Sequence, residues 1–349
     1  MFHNLTVKNI KKETSDAVSI EFEVPSELKD QFNFKSGQFL TLKKDIGGQD
    51  TRRSYSLCSS PRSGKHKIVI KQIPNGVFST FANNEIKVGN QIEVGAPIGN
   101  FFIESNTSNS KNYTLIAAGS GITPIISILK TVLTEEPSSK TNLFYGNKTP
   151  ELTIFKKELE DLLIQYSDRL NVHFIYSQTK GESKFHSGRL EGRKLKKLFK
   201  KFAPASSTDE IFMCGPQEMT NNVRELLENK FDFDPSNIHF ELFTTTAKTE
   251  GKKTKPSKRT SKVVAIVNGE TVEFTVKKNE SILEAGLAAG FDLPFSCQGG
   301  VCGVCQCMKG SGEVDMENNI VLSEDELASG VILACQSKVL SEEVNISFE

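Results

Sequence analysis

Four cysteines set the tightest limit on what this chain can become. Near its end it reads CQGGVCGVCQC and then, after a gap, ACQS, so Cys297, Cys302 and Cys305 form a Cys-x4-Cys-x2-Cys run and Cys335 follows 30 positions later. Thiolates at this spacing suit a 2Fe-2S cluster, whose two ferric ions and two sulfides need four protein sulfurs. The glycines at 299, 300 and 303 let backbone N–H groups approach those sulfurs, where their hydrogen bonds help set the potential. A structural zinc site is the alternative, but zinc favours two separated Cys-x2-4-Cys hooks over three cysteines on one glycine-rich loop. Cys307, two residues past Cys305 in a strand-like stretch, reads as a packed small side chain rather than a ligand.

A chain of 349 residues is too long for one ordinary core and predicts two or three domains of roughly 100–150 residues each. Its net charge of zero hides an asymmetry: from Val263 to Glu349 there are 14 Asp/Glu against 4 Lys, leaving −10 there and +10 elsewhere. Seven cysteines with four of them inside Cys297–Cys307 do not suit a secreted disulfide framework and point to a reducing compartment. No run of 18 apolar residues lacks charges or breakers, and the opening MFHNLTVKNIKKE has no continuous apolar segment, so a soluble cytoplasmic protein without a membrane span is expected.

The clearest boundary is a stretch at 244–261, TTTAKTEGKKTKPSKRTS, which has no large apolar side chain and cannot build a core. It reads as a flexible basic linker rather than a nucleic-acid arm, because no aromatics interleave its charges. Before it, residues 1–108 alternate in short strands such as Val18–Phe22 and Lys67–Lys71, punctuated by Gly, Pro and Asn, which predicts an antiparallel β-barrel. Residues 109–243 change to apolar strands alternating with amphipathic helices, TLIAAG then PIISILKTVL, NLFYG then PELTIFKKELEDLLIQY, VHFIY, and EIFMCG then PQEMTNNVRELLENK. That grammar predicts an α/β domain with a parallel sheet. Pro124, Pro150 and Pro216 each stand where a helix is expected to begin, the position at which a missing N–H costs nothing. In 262–349, VVAIVNGETVEFTV reads as a β-hairpin and Ser281-Ile282-Leu283-Glu284 as a capped helix start. Together with the cysteine spacing, these residues resemble plant-type 2Fe-2S ferredoxins, which implies an α+β domain of β-grasp fold.

Two further tetrapeptides lie in the barrel region: Arg53-Ser54-Tyr55-Ser56 and, some twenty residues on, Gly76-Val77-Phe78-Ser79. Either alone is a weak signal. As a pair in a β-rich half they resemble the RxYS and GxxS flavin signatures of the ferredoxin-NADP reductase superfamily, which implies bound FAD. Arg53 then offers a cationic fork for the pyrophosphate, Tyr55 an aromatic face and hydroxyl for the isoalloxazine, and Ser56 a hydroxyl near flavin N5. Gly76 permits close backbone approach, and Ser79 falls in the first turn of a short helix whose N-terminus attracts phosphate.

The α/β region opens with Ala118-Gly119-Ser120-Gly121-Ile122-Thr123-Pro124. It is not G-x-G-x-x-G, since Thr123 and Pro124 occupy the end of the motif, yet a glycine-rich turn from strand to helix cradles phosphate by the same logic. The later Cys214-Gly215-Pro216 closes another strand, and open α/β sheets bind ligands at such ends. In the superfamily this tripeptide lines the nicotinamide pocket, which would put Cys214 near the hydride-bearing carbon; a buried structural cysteine is the alternative. The resemblance also implies that Glu241 and Phe243 close the reductase part as a carboxylate and an aromatic against the flavin, although Phe243 also fits an ordinary core position.

The whole chain thus resembles the one-chain reductase components of bacterial oxygenases, and within them those that serve a diiron oxygenase. The inferred route runs from NAD(P)H through FAD and the 2Fe-2S cluster to a partner oxygenase, because a hydride carries two electrons, a cluster accepts one, and a flavin can handle both. The five histidines, His3, His66, His173, His186 and His239, form no spaced cluster that could activate oxygen. Two rivals remain. A general NADPH-ferredoxin or flavin diaphorase would have no dedicated oxygenase, so neighbouring genes for a diiron hydroxylase would discriminate it. An electron-carrier module fused to a degenerate reductase would hold iron without flavin. Lys148 and Lys180 are the candidate cations for a ribose 2′-phosphate and favour NADPH over NADH.

Overall fold

The computed structural model describes residues 2–243 and 260–349, which divide into two compact units, Met1–Leu242 and Phe243–Glu349. Positions 244–259 of the expected linker lie outside the described residues, while Thr260 and Ser261 already belong to a strand.

The first unit begins with six strands: β1 (Phe2–Thr14), β2 (Ala17–Glu23), β3 (Phe39–Ile46), β4 (Gln49–Ser56), β5 (His66–Lys71) and β6 (Gln91–Gly95). They pair antiparallel in the order β4-β3-β6-β1-β2-β5, and a bridge from Leu57 to Ile68 joins the two ends into the expected barrel. The period-2 pattern explains the closure, since Val18, Ile20 and Phe22 of β2 turn inward with Leu40, Leu42, Ile68 and Ile70. Each such side chain contributes about 1.5–3 kcal/mol by leaving water. Helix α1 (Val77–Asn84) lays Phe78 and Ala82 on this core.

Five parallel strands follow, β7 (Asn112–Ala118), β8 (Lys140–Asn147), β9 (Leu170–Tyr176), β10 (Glu210–Cys214) and β11 (Ile238–Glu241), in the order β11-β10-β7-β8-β9. Successive residues of β7 serve opposite faces. Leu115 and Ala117 pack with α2 (Ile122–Glu135) and Leu159 of α3 (Lys156–Gln165), whereas Ile116 joins Leu195, Leu198 and Phe199 of α4 (Gly192–Phe202) and Val223 and Leu227 of α5 (Gln217–Phe231). The strand order reverses between β7 and β10, which makes their C-terminal ends the ligand-binding edge.

The prolines mark helix starts only approximately. Helix α2 begins at Ile122, so Pro124 is its third residue, still within the first turn, where N–H groups lack acceptors. Pro150 opens a short 3-10 turn, Pro150–Leu152, and α3 waits until Lys156, after Phe155 takes a left-handed φ of 60°. Pro216 directly precedes α5.

Barrel and α/β layer are pinned together inside this unit. Ser127 Oγ of α2 donates to the Ser59 carbonyl at 2.7 Å, Lys130 Nζ donates to the Cys58 carbonyl at 3.1 Å, and the rings of Phe101 and Phe212 meet edge-on at 5.8 Å. Cys58 itself is fully buried in the shared core.

The second unit holds β12 (Thr260–Val267), β13 (Glu270–Lys277), α6 (Ile282–Ala288), β14 (Gln306–Ser311), β15 (Val314–Met316), α7 (Glu324–Ser329), β16 (Val331–Leu333), β17 (Ser337–Val339) and β18 (Glu343–Ser347). Its mixed sheet, β13-β12-β18-β14-β16, has β12 and β18 parallel at its centre and packs on α6, giving the expected β-grasp architecture. The hairpin and the capping box at Ser281 and Glu284 form as expected. Among the described residues no helix is long and apolar enough to cross a membrane.

Candidate active site

In the first unit, motifs far apart in sequence converge at the C-terminal edge of the parallel sheet. Strand pairing sets Ala117, Cys214 and Glu241 side by side across β7, β10 and β11. Ser56, the last residue of β4, donates its hydroxyl to Glu241 Oε2 at 3.1 Å, so the barrel reaches the same point. Burial pushes the Glu241 carboxyl up to about 8, with the Ser56 hydrogen bond pulling the other way. Cys214 is fully buried, and burial followed by the neighbouring Glu241 charge drives its thiol well above the ordinary range, so it stays protonated.

Gly119 and Gly121 do different work. Gly121 lies against the backbone of the other motif: a Cβ there would sit 2.1 Å from the Cys214 carbonyl oxygen and 3.0 Å from the Gly215 nitrogen. Gly119 has φ +55°, and a Cβ built on it meets nothing within 4 Å, leaving a backbone turn open for a phosphate-bearing ligand. Tyr145 holds this turn from below through its hydroxyl, which donates to the Gly119 carbonyl at 3.1 Å, and Thr123 Oγ1 donates to the Ser120 carbonyl at 3.1 Å. Gly215 packs under Met219 and Ala118, and Pro216 caps α5.

On the barrel side, Arg53 and Tyr55 share one face of β4. Arg53 is exposed, with Nη1 donating to the Arg52 carbonyl at 2.6 Å. Tyr55 is half-buried, and its ring rests 5.8 Å from that of Phe78. Ser54 faces the other way, 3.1 Å from the Thr41 hydroxyl. Of the second tetrapeptide, Val77 is exposed, Phe78 is in the core beneath Tyr55, and Ser79 is buried, its hydroxyl donating to the Gly76 carbonyl at 3.2 Å. A Cβ on Gly76 would collide with that hydroxyl at 2.3 Å. The turn is therefore built around Ser79, and its neighbours, rather than its own oxygen, face outward. Lys148 and Lys180 are exposed beyond β8 and β9, whose ends are tied by Ser177 N to Asn147 O and Gln178 N to Lys148 O, each 2.9 Å. Phe243, the last described residue before 260, is 38% exposed.

In the second unit, the loop between α6 and β14 gathers Cys297, Cys302 and Cys305, and the β16–β17 turn brings Cys335 to them. The Cys302 thiol donates to the Cys297 sulfur and the Cys305 thiol to the Cys335 sulfur, and these contacts lower the pKa of Cys297 and Cys335 while raising those of their donors. Backbone N–H groups of Gly299, Val301 and Cys302 are directed at Cys297, and that of Gly300 at Cys335. Four clustered sulfurs ringed by N–H donors fit a 2Fe-2S cluster. Cys307 points away into the core, 3% exposed, on β14 opposite Ile332.

Some of this could not be read from sequence. His173 and His186, 13 positions apart, stack at 5.7 Å with Nδ1 and Nε2 3.5 Å apart. Ser127 and Lys130, which lock the two layers, look like ordinary helix residues. Gln336 follows the candidate ligand Cys335 directly and ends the apolar run VILAC; a long amide at that point was the available signal.

Comparison with known proteins follows the same three-part division. Residues 4–103 match the oxidoreductase FAD-binding domain, 115–225 the oxidoreductase NAD-binding domain, and 265–340 the 2Fe-2S iron-sulfur cluster binding domain. The chain is 38% identical over 349 residues to a component of the 1,2-phenylacetyl-CoA epoxidase of Escherichia coli (strain K12), covering 100% of this chain and 98% of that one. It is 33% identical over 355 residues to the ferredoxin reductase component of 3-ketosteroid-9-alpha-monooxygenase from Rhodococcus rhodochrous, covering 99% and 96%. Among solved structures it is similar to phthalate dioxygenase reductase, described as a modular structure for electron transfer from pyridine nucleotides to [2Fe-2S], with a TM-score of 0.61, 26% identity, and coverage of 99% of this chain and 98% of that one.

Proposed function

This chain belongs to the one-chain oxygenase reductases of the ferredoxin-NADP reductase superfamily, and from that premise we propose that it delivers electrons from NADPH to the diiron oxygenase of a phenylacetyl-CoA epoxidase-like system in the cytoplasm. The observation that carries the acceptor is the end-to-end 38% identity with an epoxidase component, which runs through all three modules. Bound FAD supplies hydride acceptance, and the 2Fe-2S cluster supplies single-electron delivery.

The remaining work falls to the chain's own residues. Arg53 and the outward backbone of the Gly76–Ser79 turn bind the FAD pyrophosphate, with Tyr55 along the cofactor, whereas Ser54, turned to the opposite face of β4 against Thr41, serves the strand pairing instead. Gly119, Gly121, Thr123 and Pro124 shape the turn that receives the nicotinamide pyrophosphate, and Gly215 and Pro216 border the ring pocket. Ser56 and Glu241 hold a proton between them at the crevice, since a half-buried, desolvated carboxyl pushed up to about 8 carries one at neutral pH. The neutral Cys214 thiol keeps that wall dry and uncharged. Phe243 supplies an aromatic edge, and Lys148 with Lys180 selects the 2′-phosphate. In the second unit, Cys297, Cys302, Cys305 and Cys335 hold the cluster.

Titration of the purified protein with NADPH and NADH, following flavin bleaching, tests the donor, and turnover with the purified oxygenase tests the acceptor. Equal or better reduction by NADH removes the role of the two lysines. Failure to support an acyl-CoA epoxidase while reducing unrelated ferredoxin acceptors equally well favours the diaphorase reading.

A further inference from the structure

Gln336 sits directly after the fourth ligand and is 8% exposed. Its Nε2 lies 3.1 Å from the Gln298 carbonyl, 3.1 Å from the Cys335 carbonyl and 3.5 Å from the Cys335 sulfur, while its Oε1 accepts from Asn318 Nδ2 at 3.2 Å. Turning the amide over would face Oε1 toward two carbonyls and Nε2 toward another donor, so the surroundings fix which end is N–H. The backbone is shaped around this side chain. Gln298 takes φ +53°, uncommon for a residue with a Cβ, and so presents its carbonyl to the amide. A Cβ on Gly300 would come within 3.0 Å of Gln336 Cγ and 2.9 Å of the Asn318 carbonyl.

We infer that Gln336 is a positioning residue of the cluster: its amide ties the loop carrying three ligands to the segment carrying the fourth, and donates a hydrogen bond to the Cys335 sulfur. Two consequences follow. The tie fixes the distance between Cys335 and the other three sulfurs, and the donated N–H stabilises added negative charge on the cluster, which raises its potential. The residue therefore sets how readily the cluster accepts an electron without touching the hydride chemistry of the first unit. The inference rests on the cluster reading, and the two fail differently: full-length protein that shows no 2Fe-2S absorbance or EPR signal refutes the cluster itself.

The test is an EPR-monitored redox titration of full-length holoprotein carrying Gln336→Met, which keeps size but has no donor. At a fixed ambient potential the ratio of reduced to oxidised cluster should fall several-fold, toward tenfold, which corresponds to about 59 mV for a one-electron couple. FAD content and ferricyanide turnover should stay as in the parent. Asn318→Ala, which leaves Gln336 in place but removes the group that orients its amide, should shift the ratio in the same direction by less. A purely structural residue would lower thermal stability or cluster retention and leave the potential alone. A Gln336→Met protein that holds its cluster at the parent potential overturns the inference. If that variant does not assemble a cluster, an unchanged potential in Asn318→Ala overturns it instead.

Discussion

Replacing Gly121 by alanine should disable nicotinamide oxidation while leaving both resident cofactors in place. The methyl group would meet the Cys214 carbonyl oxygen at 2.1 Å and its carbonyl carbon at 2.5 Å. Both are backbone atoms at a strand end and cannot swing aside as a long side chain would. Restoring a contact of 3.0 Å requires the Gly119–Gly121 turn and the Cys214–Gly215 peptide to part by about 0.9 Å. A misplacement of about 1 Å between reacting groups costs about 10²-fold in rate, and overpacking of this kind costs about 1–3 kcal/mol of stability. Anaerobic stopped-flow measurement of flavin bleaching by NADPH and by NADH reads the first effect, with FAD content and iron-sulfur absorbance as controls. Hydride transfer within threefold of the parent, in a variant that keeps its FAD, would show that the two motifs do not form one nicotinamide site.

Cys335→Ser should abolish the visible iron-sulfur absorbance and collapse cytochrome c and oxygenase turnover, with ferricyanide reduction retained; oxygenase turnover surviving without the cluster reverses the proposed order of electron transfer. Delivery to the oxygenase should weaken between about 50 and 500 mM salt, because ten net negative charges on the cluster domain are screened over that range, while flavin bleaching by nicotinamide changes little; equal salt sensitivity of the two steps argues against charge-guided docking. Glu241→Gln should gain stability over the parent as pH rises. The folded carboxyl titrates near 8 against an ordinary 4.5, so the native state binds the extra proton, and the parent's stability is full below about 4.5 and lost as pH approaches 8. Melting curves of flavin-free protein at pH 5, 7 and 9 check this, and a gap between variant and parent that does not widen with pH refutes the buried-proton assignment.

Sequence disclosed these features unevenly, for physical reasons. The 2Fe-2S domain was legible because iron-sulfur chemistry dictates the residue type and the loop dictates the spacing, so the run from Cys297 to Cys335 points to it without tertiary information. The alternation of Val18, Ile20 and Phe22 and the apolar runs of β7 and β10 identified barrel and parallel sheet, since one face or two must leave water. Helix starts were less exact: Pro124 is compatible with any position of the first turn, and Pro150 is as content in a 3-10 turn, so the chain's pause at Phe155 was invisible. Ser127 and Lys130 carried no signal because the groups they reach in the barrel are main-chain carbonyls of Ser59 and Cys58, and any residue supplies a carbonyl. Phe78 looked like part of a flavin motif and lies in the core, whereas Ser79 holds the turn together from inside.

The burial of the cysteines has a practical corollary for attaching this protein to a surface. Cys58 and Cys214 are fully buried and Cys307 is 3% exposed, and the other four thiols are the proposed cluster ligands. Buried, protonated thiols are inert to alkylation, so the loaded protein presents no competing handle. A single cysteine placed at Ile164, 78% exposed on α3, would be the one site open to a maleimide, and would couple the α/β layer to an electrode or dye in one defined orientation without first stripping out the native thiols.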